Sequence, residues 1–537
     1  MRSHVSLLLA LASPLPLVVA CSSGARLPAA AQAEAPATLS PRRDEVASAP
    51  EKAATTSAHA DAELAKTGAE TREAKTAPAT RLRMGAKDLF AYIYRTPSQE
   101  GLPLGYIRVG AAVPLLGDKP TPGRGCSRGW YAVAPRGFAC LDDRTTLDLT
   151  DPYYLALAEY APAKDAVWAY SYAFSNGAPM YSRLPTALEQ ESAERKLGLR
   201  GSFVQLAAWS AGHEELIVDE PIVAVDPIPA IFQGKRTIFG GLRNRDALVW
   251  RTIPNGSMLS YARAFEAEGR TWLVSPDLML VPADRVRKLR RSTFHGVMLG
   301  EKAQLPLAWN RTKAPKPTYR RGDDGALVAT EGAFPAKSPL PISGTKVTSS
   351  SRVFYEVRGQ EGVFVAEDDV TISRAATKLP RGVRPGQKWI EVKILPGTLT
   401  AYEDLTPVRA TLFSPGKGGV PVPGHDPNKY ATTNIGIFPI EWKDRTAAMS
   451  SEKYGEPKVL WFSDVPHIQY LRAPLAMHVA FWHEDFGNPK SAECVNVSPE
   501  DGHWLFNWTG PELPEGWGAM RPGGGNGLST TVVVTAR

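Results

Sequence analysis

Two residues near the C-terminal end of the chain have side chains that together could do nucleophilic thiol chemistry. His478 lies in Met477-His478-Val479-Ala480-Phe481-Trp482-His483, and 16 positions later Cys494 lies in Ser491-Ala492-Glu493-Cys494-Val495-Asn496. A thiol is a modest nucleophile until its proton is removed, and an imidazole within hydrogen-bond reach can remove it. The bland reading is that Cys494 is a small buried hydrophobe, as cysteines outside disulfides often are. The catalytic reading requires that His478 reach the sulfur inside an open cleft.

Several elements must hold this pair. Ser498 reads as a helix N-cap, with Pro499 in the first turn and Asp501 where a capping-box acid falls. Trp504, Leu505 and Trp508 give that short helix an apolar face, so it pins the cysteine turn from behind. Ile390-Glu391-Val392-Lys393-Ile394 alternates apolar and charged residues, as a half-exposed strand does. Pro396-Gly397 makes a turn, Thr398 to Tyr402 returns as a strand, and Val408 to Ser414 is a third. The Gly416-Lys417-Gly418-Gly419 run lacks P-loop spacing and a following helix, and reads as a loop. Thr530 to Thr535 is a final strand.

This block, residues 386–537, resembles the L,D-transpeptidase catalytic-domain family. There a His precedes a Ser-His-Gly-Cys turn, and the domain opens with a hairpin and a Ser-x-Gly loop. Thr432-Thr433-Asn434-Ile435-Gly436-Ile437-Phe438 stands where the family has Thr-Pro-x-Gly-x-Phe, with Thr433 in place of the proline. The resemblance implies a β-sandwich acting on peptidoglycan stem peptides. Cys494 would attack the carbonyl between the third and fourth residues of a stem tetrapeptide, forming a thioester and releasing D-alanine. An acceptor amine would resolve that thioester. By the same resemblance His478 is the general base and acid, oriented by a backbone carbonyl near Val479. The amides of Glu493 and Cys494 form the oxyanion hole, where charge develops in the transition state. Trp482, Ser491 and Asn496 are expected along the substrate groove, although a buried aromatic is the better default for Trp482. No metal and no organic cofactor is implied.

Two turn positions depart from the family pattern. Ala492 stands where its second His belongs, and Glu493 where its Gly belongs. A glutamate forced into a glycine-type backbone conformation costs about 1 kcal/mol or more. A carboxylate ~6 Å from a thiolate costs about 2.8 kcal/mol at an effective dielectric near 20, or two pKa units. The thiol is then scarcely ionised at neutral pH unless Glu493 points into solvent. His483 lacks a third ligand for a metal site with His478 and reads as structural. His467 and His503 carry no signal, Glu484-Asp485 reads as a solvated loop, and Arg472 and Lys490 are minor candidates for substrate carboxylates.

The rest of the chain organises around export. Residues 1–21 form a targeting segment: Arg2, an apolar run from Leu7 to Ala20 broken by Pro14 and Pro16, and Val18-Val19-Ala20-Cys21, which looks like a lipoprotein cleavage site. Lipidation of Cys21 would anchor the protein in the envelope, and Ser22 after it favours the outer membrane of a two-membrane bacterium. The alternative is an ordinary secretory signal that removes Cys21. Residues 22–80 lack aromatics and read as a flexible tether. Residues 81–148 look like a small SH3-type barrel, similar to bacterial wall-associated SH3 modules. Cys126 and Cys140 flank a Pro135-Arg136-Gly137 turn and suit a disulfide in an exported protein, which leaves Cys494 outside any disulfide. Residues 149–300 read as a second β-rich module with a helical insertion, Pro185 standing in the first turn and Ala187 to Leu197 continuing. Residues 301–385 read as a third small β module, because Gly362 to Asp369 echoes the Gly269 to Asp284 texture.

The chain is therefore expected to be mainly β, periplasmic and lipid-anchored. The net charge of +7 over 537 residues, with no basic patch interleaved with aromatics, argues against nucleic acid. The favoured function is peptidoglycan transpeptidation. A wall-binding protein that has lost catalysis and a thiol hydrolase are the rivals.

Overall fold

The computed structural model describes residues 22–23, 82–163, 165–197, 214–233, 247–450, 460–523 and 528–537. Cys21, the targeting segment and the tether beyond Ser23 lie outside the described residues. The protein is mainly β, as the short, turn-punctuated apolar runs predict.

Residues 82–148 form short strands, among them β1 (Gly105–Arg108). Trp130 pairs with Cys140 across the Pro135-Arg136-Gly137 turn, and Gly137 takes the φ of 97° that this turn needs. Cys126 and Cys140 are joined as a disulfide. Next come α1 (Pro152–Glu159), β2 (Ser171–Ser175), α2 (Ala187–Glu194) and β3 (Met258–Tyr261). Thr186 caps α2 in a capping box with Glu189, so Pro185 precedes the cap instead of lying in the first turn. The helix stops short of Leu197, and Glu194 at its end is drawn into a buried network with Tyr181, Arg270 and Arg285. The textures that echo each other in sequence share a local fold. Leu280–Pro282 runs through the 3-10 turn Ala283–Arg285 into Val286–Leu289, and Phe364–Ala366 runs through Glu367–Asp369 into Thr371–Ser373.

The C-terminal part is a two-sheet sandwich. One sheet contains β4 (Lys388–Lys393), β5 (Thr398–Glu403) and β6 (Thr406–Leu412). The other contains β7 (Trp442–Ser450), β8 (Trp461–Arg472), β9 (Leu475–Val479) and β10 (Val495–Val497). Then follow α3 (Pro499–Trp508), β11 (Trp517–Met520), which joins β7, and β12 (Thr531–Thr535), which lies beside β4. Ile390, Val392, Leu399, Met477, Val495, Val497 and Val534 fill the space between the sheets, with Leu505 of α3 among them. Full burial of an aliphatic side chain of this kind contributes about 1.5–3 kcal/mol.

The second sheet continues beyond the sandwich. β8 pairs in parallel with β3, β3 pairs with β2, and β11 pairs with β1. Segments far upstream in sequence thus share a sheet with the strands that carry His478 and Cys494. A second apolar cluster sits on this side and includes Tyr172, Phe174, Met258, Phe462, Phe481, Trp482 and Cys494.

Candidate active site

β9 and β10 lie parallel, with Met477 opposite Val495 and His478 opposite Asn496. Strand side chains alternate between faces, so Met477 and Val495 enter the sandwich while His478, Asn496 and Cys494 share the other face. The Cys494 sulfur lies 3.7 Å from the Pro474 carbonyl.

The partners of His478 fix its tautomer. Nδ1 lies 2.9 Å from the Val479 carbonyl, which can only accept, so Nδ1 carries the proton. Nε2 then holds the lone pair and accepts from the Asn496 amide at 2.9 Å. This neutral tautomer is the one a general base needs, and Asn496 occupies its basic nitrogen.

The cysteine turn is stapled from two sides. Ser491 Oγ donates to the Cys494 carbonyl at 2.5 Å, and Ser414 exchanges backbone hydrogen bonds with Asn496 at 2.9 and 3.0 Å. Thr433 Oγ1 accepts from the Gly416 amide at 2.8 Å and donates to the Glu493 carbonyl at 2.7 Å. One hydroxyl therefore ties the glycine loop to the turn. That loop needs its glycines, because a Cβ on Gly416 or Gly418 would fall 2.2 Å or less from the carbonyl of Ala431 or Tyr430. Glu493 is not among the residues with positive φ, so its backbone carries no glycine-type strain. Glu493 is 1% exposed and accepts from Asn434 Nδ2 at 2.6 Å; its side chain is buried and not turned into solvent.

The loop between His478 and Cys494 is clamped as well. Glu484, expected to be solvated, accepts from Arg290 at 2.5 Å and from the Thr293 amide at 2.9 Å. The Lys337 ammonium donates to the Phe486 and Arg311 carbonyls, and burial pulls its pKa down to about 8. His483 Nδ1 accepts from the Asp485 amide at 3.2 Å, which gives it a loop-capping role. From behind, α3 presses on β9, where Gly502 leaves no room for a Cβ against Val479. Ser498 caps the helix at the Asp501 amide, and the Asp501 carboxylate reaches Thr411, Arg409 and the Gly296 amide. The capping-box position thus serves as a buried cross-strut.

Among the described residues, those expected to line an open cleft are enclosed. Cys494 is 0% exposed, His478 1% and Asn496 2%. Ser491 and Ala492 are buried too, and Trp482 packs on Phe462 with ring centroids 4.6 Å apart. Phe481 stacks on Tyr172 of β2 at 3.8 Å, so the upstream segment closes over this side. Of the minor candidates, Lys490 sits 3.9 Å from Glu215, and Arg472 lies over the Phe438 ring. The sequence reading missed Thr433, Asn434 and Ser414; Thr432-Thr433-Asn434 was visible as a run, but nothing local shows that its hydroxyl and amide meet residue 493.

No family model and no curated protein matches the chain. Among solved structures it is similar to an L,D-transpeptidase from Xylanimonas cellulosilytica, at 23% identity over 29% of this chain and 63% of that one, with a TM-score of 0.20. It is also similar to an L,D-transpeptidase from Mycobacterium smegmatis, at 16% identity over 46% of this chain and 93% of that one, TM-score 0.21. A third is the catalytic domain of the E. faecium L,D-transpeptidase, at 18% identity over 28% and 98%, TM-score 0.20. The chain spans just under two thirds of the first of these.

Proposed function

We propose that the protein is an exported cysteine acyltransferase of the L,D-transpeptidase kind, acting on peptidoglycan stem peptides. The observation that carries this reading is His478, held by the Val479 carbonyl in the Nδ1–H tautomer on the face it shares with Cys494. The Cys494 proton passes to His478 Nε2 once Asn496 gives way. The thiolate adds to the carbonyl before the terminal residue of a stem tetrapeptide. The tetrahedral oxyanion is met by the Glu493 and Cys494 amides, and D-alanine leaves with the proton from His478. An amine then attacks the thioester, regenerating the thiol. No metal or cofactor takes part in these steps, and Cys21 is the lipid-bearing residue that holds the protein to the envelope, at the outer membrane.

Full burial of the sulfur favours a second reading, a stem-peptide-binding protein in which catalysis has lapsed. Intact-protein mass spectrometry with a carbapenem, whose strained amide acylates an activated thiol, separates the two. An adduct on the wild type and none on Cys494→Ala supports the acyltransferase. A folded wild-type protein that stays unmodified supports the binding protein.

A further inference from the structure

A cavity of about 230 Å3 opens where β1, β3 and β8 meet, and none of the residues lining it belongs to the 478–496 segment. Its floor is polar and buried. Arg108 of β1 pairs with Asp464 Oδ1, and Ser260 Oγ donates to Asp464 Oδ2 at 2.5 Å with Ser463 Oγ 2.9 Å away. Two features of that floor go beyond what packing needs. Asp464 sits at φ 47°, a left-handed conformation that a non-glycine strand residue adopts only when its surroundings impose it. Arg108 is 6% exposed, yet among the described residues its Nε has no acceptor.

The rim adds a second guanidinium and a second carboxylate. Arg251 lies 5.3 Å from the Trp250 ring and 5.1 Å from the Trp461 ring, and Asp277 is half-buried at the edge. Arg251 already covers the tryptophan faces, which makes them poor platforms for a sugar ring. Met180 and Leu259 supply apolar wall. Guanidinium groups match carboxylates, and a carboxylate matches an ammonium. A volume below the ~300 Å3 at which drug-sized sites begin admits only a small molecule.

We propose that this cavity binds a single free amino acid with an apolar side chain. Its carboxylate meets Arg251 at the rim, its ammonium meets Asp277, and its side chain lies against Met180 and Leu259. The site is independent of the Cys494 chemistry, but it bridges three chain segments that share the long sheet. A bound ligand therefore stabilises their junction by mass action.

Isothermal titration of the full chain with L-leucine and D-leucine tests this, with leucinamide, N-acetyl-leucine and N-acetylglucosamine as comparisons. One or both leucines should bind with a Kd in roughly the micromolar-to-millimolar range and raise the melting temperature. Leucinamide, lacking the carboxylate, and N-acetyl-leucine, lacking the ammonium, should each bind at least about ten-fold more weakly. Arg251→Gln and Asp277→Asn, both at the rim, should each weaken leucine about ten-fold without lowering the ligand-free melting temperature. Absence of leucine binding up to about 10 mM would overturn the proposal. Equal binding of either blocked analogue, binding of the sugar alone, or indifference to both substitutions would overturn it as well.

Discussion

Asp501→Ala tests how the helix behind the cysteine turn is held. The carboxylate is 0% exposed and accepts from Thr411 Oγ1 at 2.6 Å, Ser498 Oγ at 2.7 Å, Arg409 Nη2 at 2.7 Å and the Gly296 amide at 3.0 Å. Truncation leaves the Arg409 guanidinium, itself 8% exposed, without its counter-charge. Breaking a buried ion pair from one side costs ~3–5 kcal/mol, a large fraction of a typical stability of ~5–15 kcal/mol. Urea unfolding of the full chain followed by tryptophan fluorescence should show that loss. Asp501→Asn keeps acceptors for the hydroxyls and should lose less. Asp501→Leu combined with Arg409→Met removes both charges and should recover part of the alanine loss, because the isolated charge is the main cost. Because Gly502 of the same helix touches Val479, the alanine variant should also let a thiol reagent reach Cys494 faster. A loss under about 1 kcal/mol, or a double variant no better than the single one, would refute the strut.

Burial raises the Asp444 carboxyl to about 6, with Tyr106 donating to it at 2.7 Å. The folded state therefore holds this proton more tightly than the unfolded chain, and the contribution to stability falls as pH rises from about 4 through 6. Asp444→Asn should remove that slope and add up to ~3 kcal/mol at neutral pH, read from urea midpoints across the range. Opening the Cys126–Cys140 disulfide, which closes a sequence separation of 14, should cost about 3 kcal/mol, measured as a melting shift between oxidised protein and Cys126→Ser/Cys140→Ser. Glu493→Gln keeps the acceptor for Asn434 and removes a buried carboxylate from the residue that precedes Cys494. The pH profile of Cys494 alkylation should then move down by up to about two units, and an unmoved profile would show that the carboxylate does not act on the thiol.

The local elements of the C-terminal sandwich were legible because period-two alternation, turn glycines and a Ser-Pro helix start each state a backbone preference over a few residues. The strands at 388–393 and 398–403 and the helix from Pro499 follow those signals closely. Enclosure was not legible. It arises from contacts such as Phe481 on Tyr172 and Glu484 on Arg290, whose partners lie 309 and 194 positions upstream, and from a sheet that runs on from β8 into β3 and β2. The fate of Glu493 was hidden for the same reason. Its cost depended on whether it pointed outward, and its inward orientation is held by Asn434, a residue with no local reason to meet it. Asp501 shows the limit of motif reading in another way: the capping position was right, while the carboxylate's main partners, Arg409 and Thr411, come from a different sheet.

The central claim is that Cys494 acts as a nucleophile with His478 as its base. Incubating the full chain with a peptidoglycan tetrapeptide and an amine, and measuring D-alanine release together with the mass of the protein, tests it most directly. The account predicts release, a transient thioester on Cys494, loss of both in Cys494→Ala, and a rate lower by about a hundred-fold or more in His478→Ala. Folded wild-type protein that releases no D-alanine, or release that survives Cys494→Ala, would contradict it.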